Sequence, residues 1–109
     1  MSRTKGDRAE EKAVVFLVEH AYTVIERNFY SRFGELDIIA IKENILHFIE
    51  VKSGKDYEHA IANITPQKLS RLIKTAHVYM KKNALDSDFM FDALIVTPDE
   101  IEIVENITL

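Results

Sequence analysis

Three charged residues carry the chemistry available to this chain. Asp37 stands in the segment GELDIIAIK, and Glu50 and Lys52 stand in ILHFIEVK, where each interrupts a run of Ile, Leu, Phe or Val. Two carboxylates brought together suit a hard cation such as Mg2+, which commonly takes one or two carboxylates plus waters and phosphate oxygens. A lysine beside them places positive charge near a phosphate or an attacking water. This chemistry requires that the elements bearing the three residues converge.

The two segments have strand patterns over Gly34 to Lys42 and Ile45 to Lys52. A symmetric turn at Glu43-Asn44 pairs Ile41 with Leu46, Ile39 with Phe48, Asp37 with Glu50, and Glu35 with Lys52. Side chains alternate along a strand, so these residues share one face. The other face takes Leu36, Ile38, Ala40, His47, Ile49 and Val51, and is also largely apolar. The hairpin is therefore expected to be covered on both sides. Opposed carboxylates repel each other, and burying an unpaired charge costs roughly several kcal/mol. Lys52 offsets one of the two charges, and a divalent cation would offset the remainder. The alternative is a structural ion pair of Lys52 with Asp37 or Glu50 at a strand end. The pattern alone leaves both open.

Around this hairpin, residues 5 to 21 form a first helix with Ala9, Ala13, Phe16 and Leu17 at helical spacing. Tyr22 to Tyr30 is a strand, and residues 53 to 64 are a polar connection. Thr65-Pro66 is a helix start, with Thr as N-cap and Pro at the first position. Leu69, Leu72, Ile73, Ala76 and Met80 stripe that second helix, which ends near Asn83. Phe89 to Thr97 is a strand, and Glu100 to Glu105 alternates as an antiparallel edge strand would. The expected order is αβββαββ, in one domain over residues 1 to 109.

The chain is 47% hydrophobic and 29% charged, as expected of a globular protein. It has no cysteine, which excludes disulfides, cysteine zinc sites and a thiol nucleophile. The start, MSRTKGDRAEEK, has no apolar stretch behind it of secretory or membrane-spanning length. A cytoplasmic protein without a membrane anchor is expected. The net charge of −4 argues against a non-specific nucleic-acid binder. The charge is segregated, however. Arg3, Lys5 and Arg8 open the chain, and Pro66 to Asn83 holds Lys68, Arg71, Lys74, Lys81 and Lys82 with no acid. Acids gather from Asp86 to Glu105.

Gly34-Glu35-Leu36-Asp37, followed by Phe48-Ile49-Glu50-Val51-Lys52, resembles the D…ExK core of the PD-(D/E)XK nucleases. It resembles specifically the YraN family of small bacterial proteins, which are similar to archaeal Holliday junction resolvases. The likeness takes in Gly6, Ala9-Glu10, Ala13, Arg27-Asn28, Thr75-Ala76, Tyr79 and Asp92. Leu36 stands where the superfamily signature has Pro, and Met90 where relatives often carry Arg. The resemblance implies an α/β three-layer sandwich of restriction-endonuclease type. Its mixed central sheet has about five strands, with helices on both faces.

The resemblance further implies that Asp37, Glu50 and the backbone carbonyl of Val51 are ligands for Mg2+ or Mn2+. Lys52 then orients or activates the attacking water and stabilises charge on the scissile phosphate. Glu10 matches a first-helix glutamate that completes such sites, although an exposed acid near a helix N-terminus is equally reasonable. Lys68 matches a basic position that touches phosphate. With Arg71 and Lys74 it forms either a solvated face or a nucleic-acid contact, and the lack of acids on that helix favours the contact.

Other residues receive plainer assignments. His20, His47, His59 and His77 lack metal-ligand spacing, and Asp92 is assigned to a strand start. Tyr22, Phe29, Tyr30 and Phe33 are assigned to the core ahead of base stacking, and Glu35 to a pair with Lys52. The leading expectation is metal-dependent hydrolysis of phosphodiester bonds in DNA, branched or processed DNA included. The others are a non-catalytic nucleic-acid-binding module and a protein-interaction domain with a structural ion cluster. One 109-residue domain offers little surface to a four-way junction, so a homodimer is the expected assembly.

Overall fold

The computed structural model describes residues 5 to 108, with side chains from Arg8 onward. Helix α1 (Lys5–Glu19) buries Ala9, Ala13 and Leu17, one stripe at four-residue spacing. It ends earlier than its pattern suggests. Ala21 adopts φ 68°, its N–H bonds Val18 O at 3.2 Å, and the Tyr22 N–H bonds Leu17 O at 2.9 Å. This is the left-handed closure that satisfies the last helical carbonyls. Tyr22 thus belongs to the cap, and strand β1 runs over Thr23–Ser31.

Strands β2 (Gly34–Lys42) and β3 (Ile45–Ser53) form the expected hairpin. Its turn residues Glu43 and Asn44 both have positive φ, 52° and 65°, which matches the twist of the flanking strands without a glycine. The register is the one expected, from Lys42↔Ile45 to Ile38↔Ile49, and it stops one pair short of Asp37 and Glu50.

The connection after β3 contains a five-residue helix that was not expected. Asp56 caps the N–H of His59 at 2.9 Å and starts α2 (Tyr57–Ile61). Backbone packing here is close: a Cβ at Gly54 would lie 2.9 Å from Ala60 N, so only glycine fits. Helix α3 (Pro66–Lys82) starts as expected, with the Thr65 hydroxyl accepting from the Lys68 N–H. Strands β4 (Phe89–Val96) and β5 (Ile101–Val104) close the chain, so the observed order is αβββααββ.

The five strands are ordered β1-β2-β3-β4-β5. All neighbours are antiparallel except β3 and β4, which run parallel and are joined by the crossover through α2 and α3. One core cluster joins α1 to Ile38, Ile49 and Leu94. Another joins Leu72, Ala76 and Tyr79 of α3 to Leu36, Ile39, Phe48 and Phe91. The sheet is thus mixed and covered by helices on both faces. Among the described residues no helix is long and apolar enough to cross a membrane.

Candidate active site at the parting of two strands

Asp37 marks a fault in the sheet. The β1–β2 ladder pairs Arg27 with Ile38 and Phe29 with Leu36, and skips Asn28 and Asp37 between them. Asn28 has φ 55°, a conformation that asparagine tolerates better than most residues. Across this fault the alternation slips by one. Ile38 packs in the α1 cluster and Leu36 in the α3 cluster, although strict alternation puts them on one face. Ile39 shares the α3 face with Leu46 and Phe48 as expected, but Leu36 joins it there, so the expected grouping of Leu36 with Ile38, and of Glu35 with Ile39, is corrected. Freed from the ladder, the Asp37 carboxylate accepts the Val51 N–H at 2.9 Å, just beyond the last β2–β3 pair.

A cavity of about 400 Å³ opens there. Its walls bring together Glu10, Asp37, Glu50, Val51 and Lys52, the five residues singled out for metal and catalysis, with Asn28, Tyr30 and Glu35. Asp37 is pushed up to about 7, first by burial, then by a hydrogen bond to Glu50 and that residue's charge. The Val51 N–H and Glu35 pull in the opposite direction. Lys52 Nζ lies 4.0 Å from Glu50 Oε1, a loose pair that leaves the ammonium facing the cavity.

Glu10 is not a solvated helix acid, since its side chain is 12% exposed and accepts from Arg27 Nη2 at 3.2 Å. Burial and then the charge of Asp37 raise its pKa against the pull of Arg27. Arg27 also reaches Glu11 at 3.3 Å, a role the sequence reading missed despite the Arg27-Asn28 likeness.

Several smaller expectations need correction. Glu35 interacts with Tyr30 and Asp37 and makes no ion pair with Lys52 among the described residues. Tyr30 is 69% exposed and stands at the cavity rim instead of the core. Tyr22 and Phe29 are core as expected. Asp92 lies inside β4, fully buried, and its carboxylate holds His47 Nδ1 at 2.6 Å and the Asn106 N–H at 3.0 Å. No periodicity reveals that pair, because its partners come from strands joined only by the crossover.

Lys68, Arg71 and Lys74 are all exposed on α3, and none lines the acidic cavity. Arg71 packs near Gly34, and Lys74 Nζ lies 5.7 Å from the ring of Phe33. Both therefore flank the β1–β2 turn from whose ends Tyr30 and Glu35 enter the cavity. Arg3 lies outside the described residues.

The donor set can be tested against a metal. Among the described residues no three His, Asp or Glu groups are placed to hold an ion by themselves. The carboxylates of Asp37 and Glu50 share a hydrogen bond, so replacing their proton by a cation relieves their repulsion. Two oxygens of this kind plus a carbonyl fit a hard cation that keeps several waters, and do not fit zinc in a closed cage.

Fold and cavity define an α/β protein with paired carboxylates and a lysine where the central hairpin splays. Residues 9–96 match the family described as Uncharacterised protein family UPF0102, and the chain belongs to that family. It is the YraN family that the GELD and ExK segments resemble. The chain is 62% identical to a UPF0102 protein of Sulfurimonas denitrificans over the full length of both. It is 54% identical to one of Wolinella succinogenes and 50% to one of Aliarcobacter butzleri, again over the whole of each chain.

Proposed function

We propose that the chain is a metal-dependent nuclease of the PD-(D/E)XK, restriction-endonuclease-like type, hydrolysing phosphodiester bonds in DNA. Branched or processed DNA is the favoured substrate, by similarity to the resolvases. The observation that carries this reading is the Asp37–Glu50 pair, held where β2 leaves β3 and accompanied by Lys52. A fold has little reason to keep two interacting carboxylates half-buried unless a cation or proton mediates between them.

In this reading Asp37, Glu50 and the Val51 carbonyl would hold Mg2+ or Mn2+, and the ion would supply Lewis acidity and lower the pKa of a bound water. The Val51 N–H fixes the Asp37 carboxylate, so the ligand is oriented before the ion arrives. The Lys52 ammonium orients the attacking water and faces the developing charge on phosphate. Arg27 holds Glu10 beside this group, which sets where its carboxylate can reach.

A second reading, nucleic-acid binding without cleavage, is favoured by one observation. The Glu10 carboxylate is engaged by Arg27 through Oε1, and among the described residues no three acids are placed to hold an ion together. A panel of single-stranded, duplex, nicked and four-way-junction DNA incubated with Mn2+ or Mg2+ separates the two. Wild type is expected to cut at least one member, and Asp37→Asn and Glu50→Gln to lose about 10–100-fold or more, the loss seen when even outer partners of a metal ligand are removed. Binding without cutting across the panel would establish the second reading.

A further inference from the structure

Beside the acidic cavity lies a second one, of about 370 Å³, with the opposite charge. Arg8 and Lys12 enter it from α1, and Ser53, Gly54 and Lys55 from the end of β3. Thr97, just past the end of β4, closes the far side. No acid lines it. Among the described residues, none of its three cations has an ion-pair partner. The nearby α1 acids do not compensate them, because Arg27 draws Glu10 and Glu11 towards β1. The Ser53 hydroxyl also has no hydrogen-bond partner among the described residues.

The two cavities share their framework. On α1, Glu10 faces the acidic one, while Arg8 and Lys12 face the basic one. On β3, Glu50 to Lys52 serve the first and Ser53 to Lys55 serve the second. A strand held with one phosphate at Lys52 carries another phosphate at every nucleotide, so its neighbours are brought to the end of β3. Three cations and a hydroxyl around a space of this size suit a phosphate with its bound waters, each of which occupies about 30 Å³. We propose that this basic cavity is a phosphate-binding subsite for the same nucleic-acid strand whose scissile phosphate lies at Asp37, Glu50 and Lys52. The inference rests on the nuclease reading for its neighbouring site, and on its own cations for its ligand. The phosphate is either internal to the strand or a terminal monoester, which are the same chemistry from two sources.

The test uses the whole protein and two probes. Inorganic phosphate is titrated while backbone amide NMR signals are followed, and the shifts are expected at Ser53 and Gly54. Fluorescent oligonucleotides of the same panel, with and without a 5′-phosphate, are titrated at several salt concentrations. The variant Arg8→Gln/Lys12→Gln/Lys55→Gln is expected to lose the phosphate-induced shifts. Its slope of log affinity against log salt should shrink by about 2 to 3, one phosphate contact per cation lost. The charge-matched control Lys42→Gln/Lys81→Gln/Lys82→Gln should keep the shifts.

A preference of tenfold or more for the 5′-phosphorylated strand assigns the terminal phosphate, and equal affinity assigns an internal one. Unchanged shifts and an unchanged slope in the cavity variant, or no nucleic-acid binding by wild type, overturn the proposal. Glu50→Gln keeps the reading of the neighbouring site separate. It should retain the shifts at Ser53 and Gly54 while losing any Mn2+-dependent cutting. If wild type cuts nothing while the cavity variant still loses shifts and slope, the cleavage reading falls and the subsite stands.

Discussion

The acidic and basic cavities share two walls and solve the problem of like charges in opposite ways. In the acidic one, carboxylates from β2 and β3 converge under partial burial, and Asp37 responds by holding its proton to about 7. In the basic one, Arg8, Lys12 and Lys55 are exposed, and water and salt screen their repulsion. Repulsion between buried groups must be answered by a proton or an ion within the structure. Repulsion between exposed groups can wait for a ligand. The first arrangement suits a resident cation, and the second suits an anion that comes and goes.

Helix α3 offers the sharpest way to break this division, because it is a second basic surface, one that lines neither cavity. Replacing Lys68, Arg71 and Lys74 together by Glu is expected to weaken DNA binding about a hundredfold or more at low salt and to flatten its salt dependence. Anisotropy titrations over a salt series measure both. Unchanged affinity would leave the two cavities as the whole binding surface.

The next effect concerns the acidic cavity alone. A cation at Asp37 must displace the proton that this residue holds below about pH 7. Mn2+ affinity is therefore expected to rise with pH up to about 7, by up to about tenfold per unit, and then to level off. Thermal shifts with Mn2+ at pH 6 and pH 8 check this. In EDTA the sign reverses. The folded pKa of Asp37 lies above its unfolded value, so folding takes up a proton between about pH 4 and 7. This group's contribution to stability then falls as pH rises through that window, by at most about 1.4 kcal/mol per unit. A Mn2+ response that is the same at both pH values would remove Asp37 from the ligand set.

The smallest effect separates a metal site from a structural ion pair. Glu50→Gln removes one of two interacting charges and nearly keeps the shape. Without metal its stability is expected to stay level or rise, by up to about 1 kcal/mol. The mutant should not respond to Mn2+, whereas wild type should gain stability by mass action. The loose 4.0 Å contact between Lys52 and Glu50 points the same way. Denaturant melts that show a destabilised Glu50→Gln and a wild type blind to Mn2+ would instead make the cluster structural.

The hairpin was legible in the sequence because alternation fixes register wherever both faces are buried, and from Ile38 to Lys42 it did so correctly. It failed at Asp37, where the ladder skips the pair of Asn28 and Asp37, Asn28 takes a positive φ, and the facing of the side chains changes from Ile38 to Leu36. Single backbone angles of this kind leave no period to read. Yet the slip left Asp37, Glu50 and Lys52 in one cavity, because the fault and the ladder end fall at the same place. Helix α2 was hidden by its five-residue length, too short for a stripe to show. The basic cavity was hidden for another reason. Arg8 and Lys12 meet Lys55 only through packing of α1 on the sheet, and charges scattered along a chain look like ordinary solvated surface.

The parallel pairing of β3 with β4 has a consequence in time. Strands β1 to β3 form a meander of contacts close in sequence, whereas β3 pairs with β4 across the long crossover through α2 and α3. Local pairings close quickly, and long-range parallel ones close slowly. On a chain emerging from its N-terminus, the hairpin that brings Asp37 to Glu50 can therefore assemble before Val96 and Thr97 exist to complete the basic cavity. The acidic pair is born early and the basic cavity late, so the two cavities do not appear together.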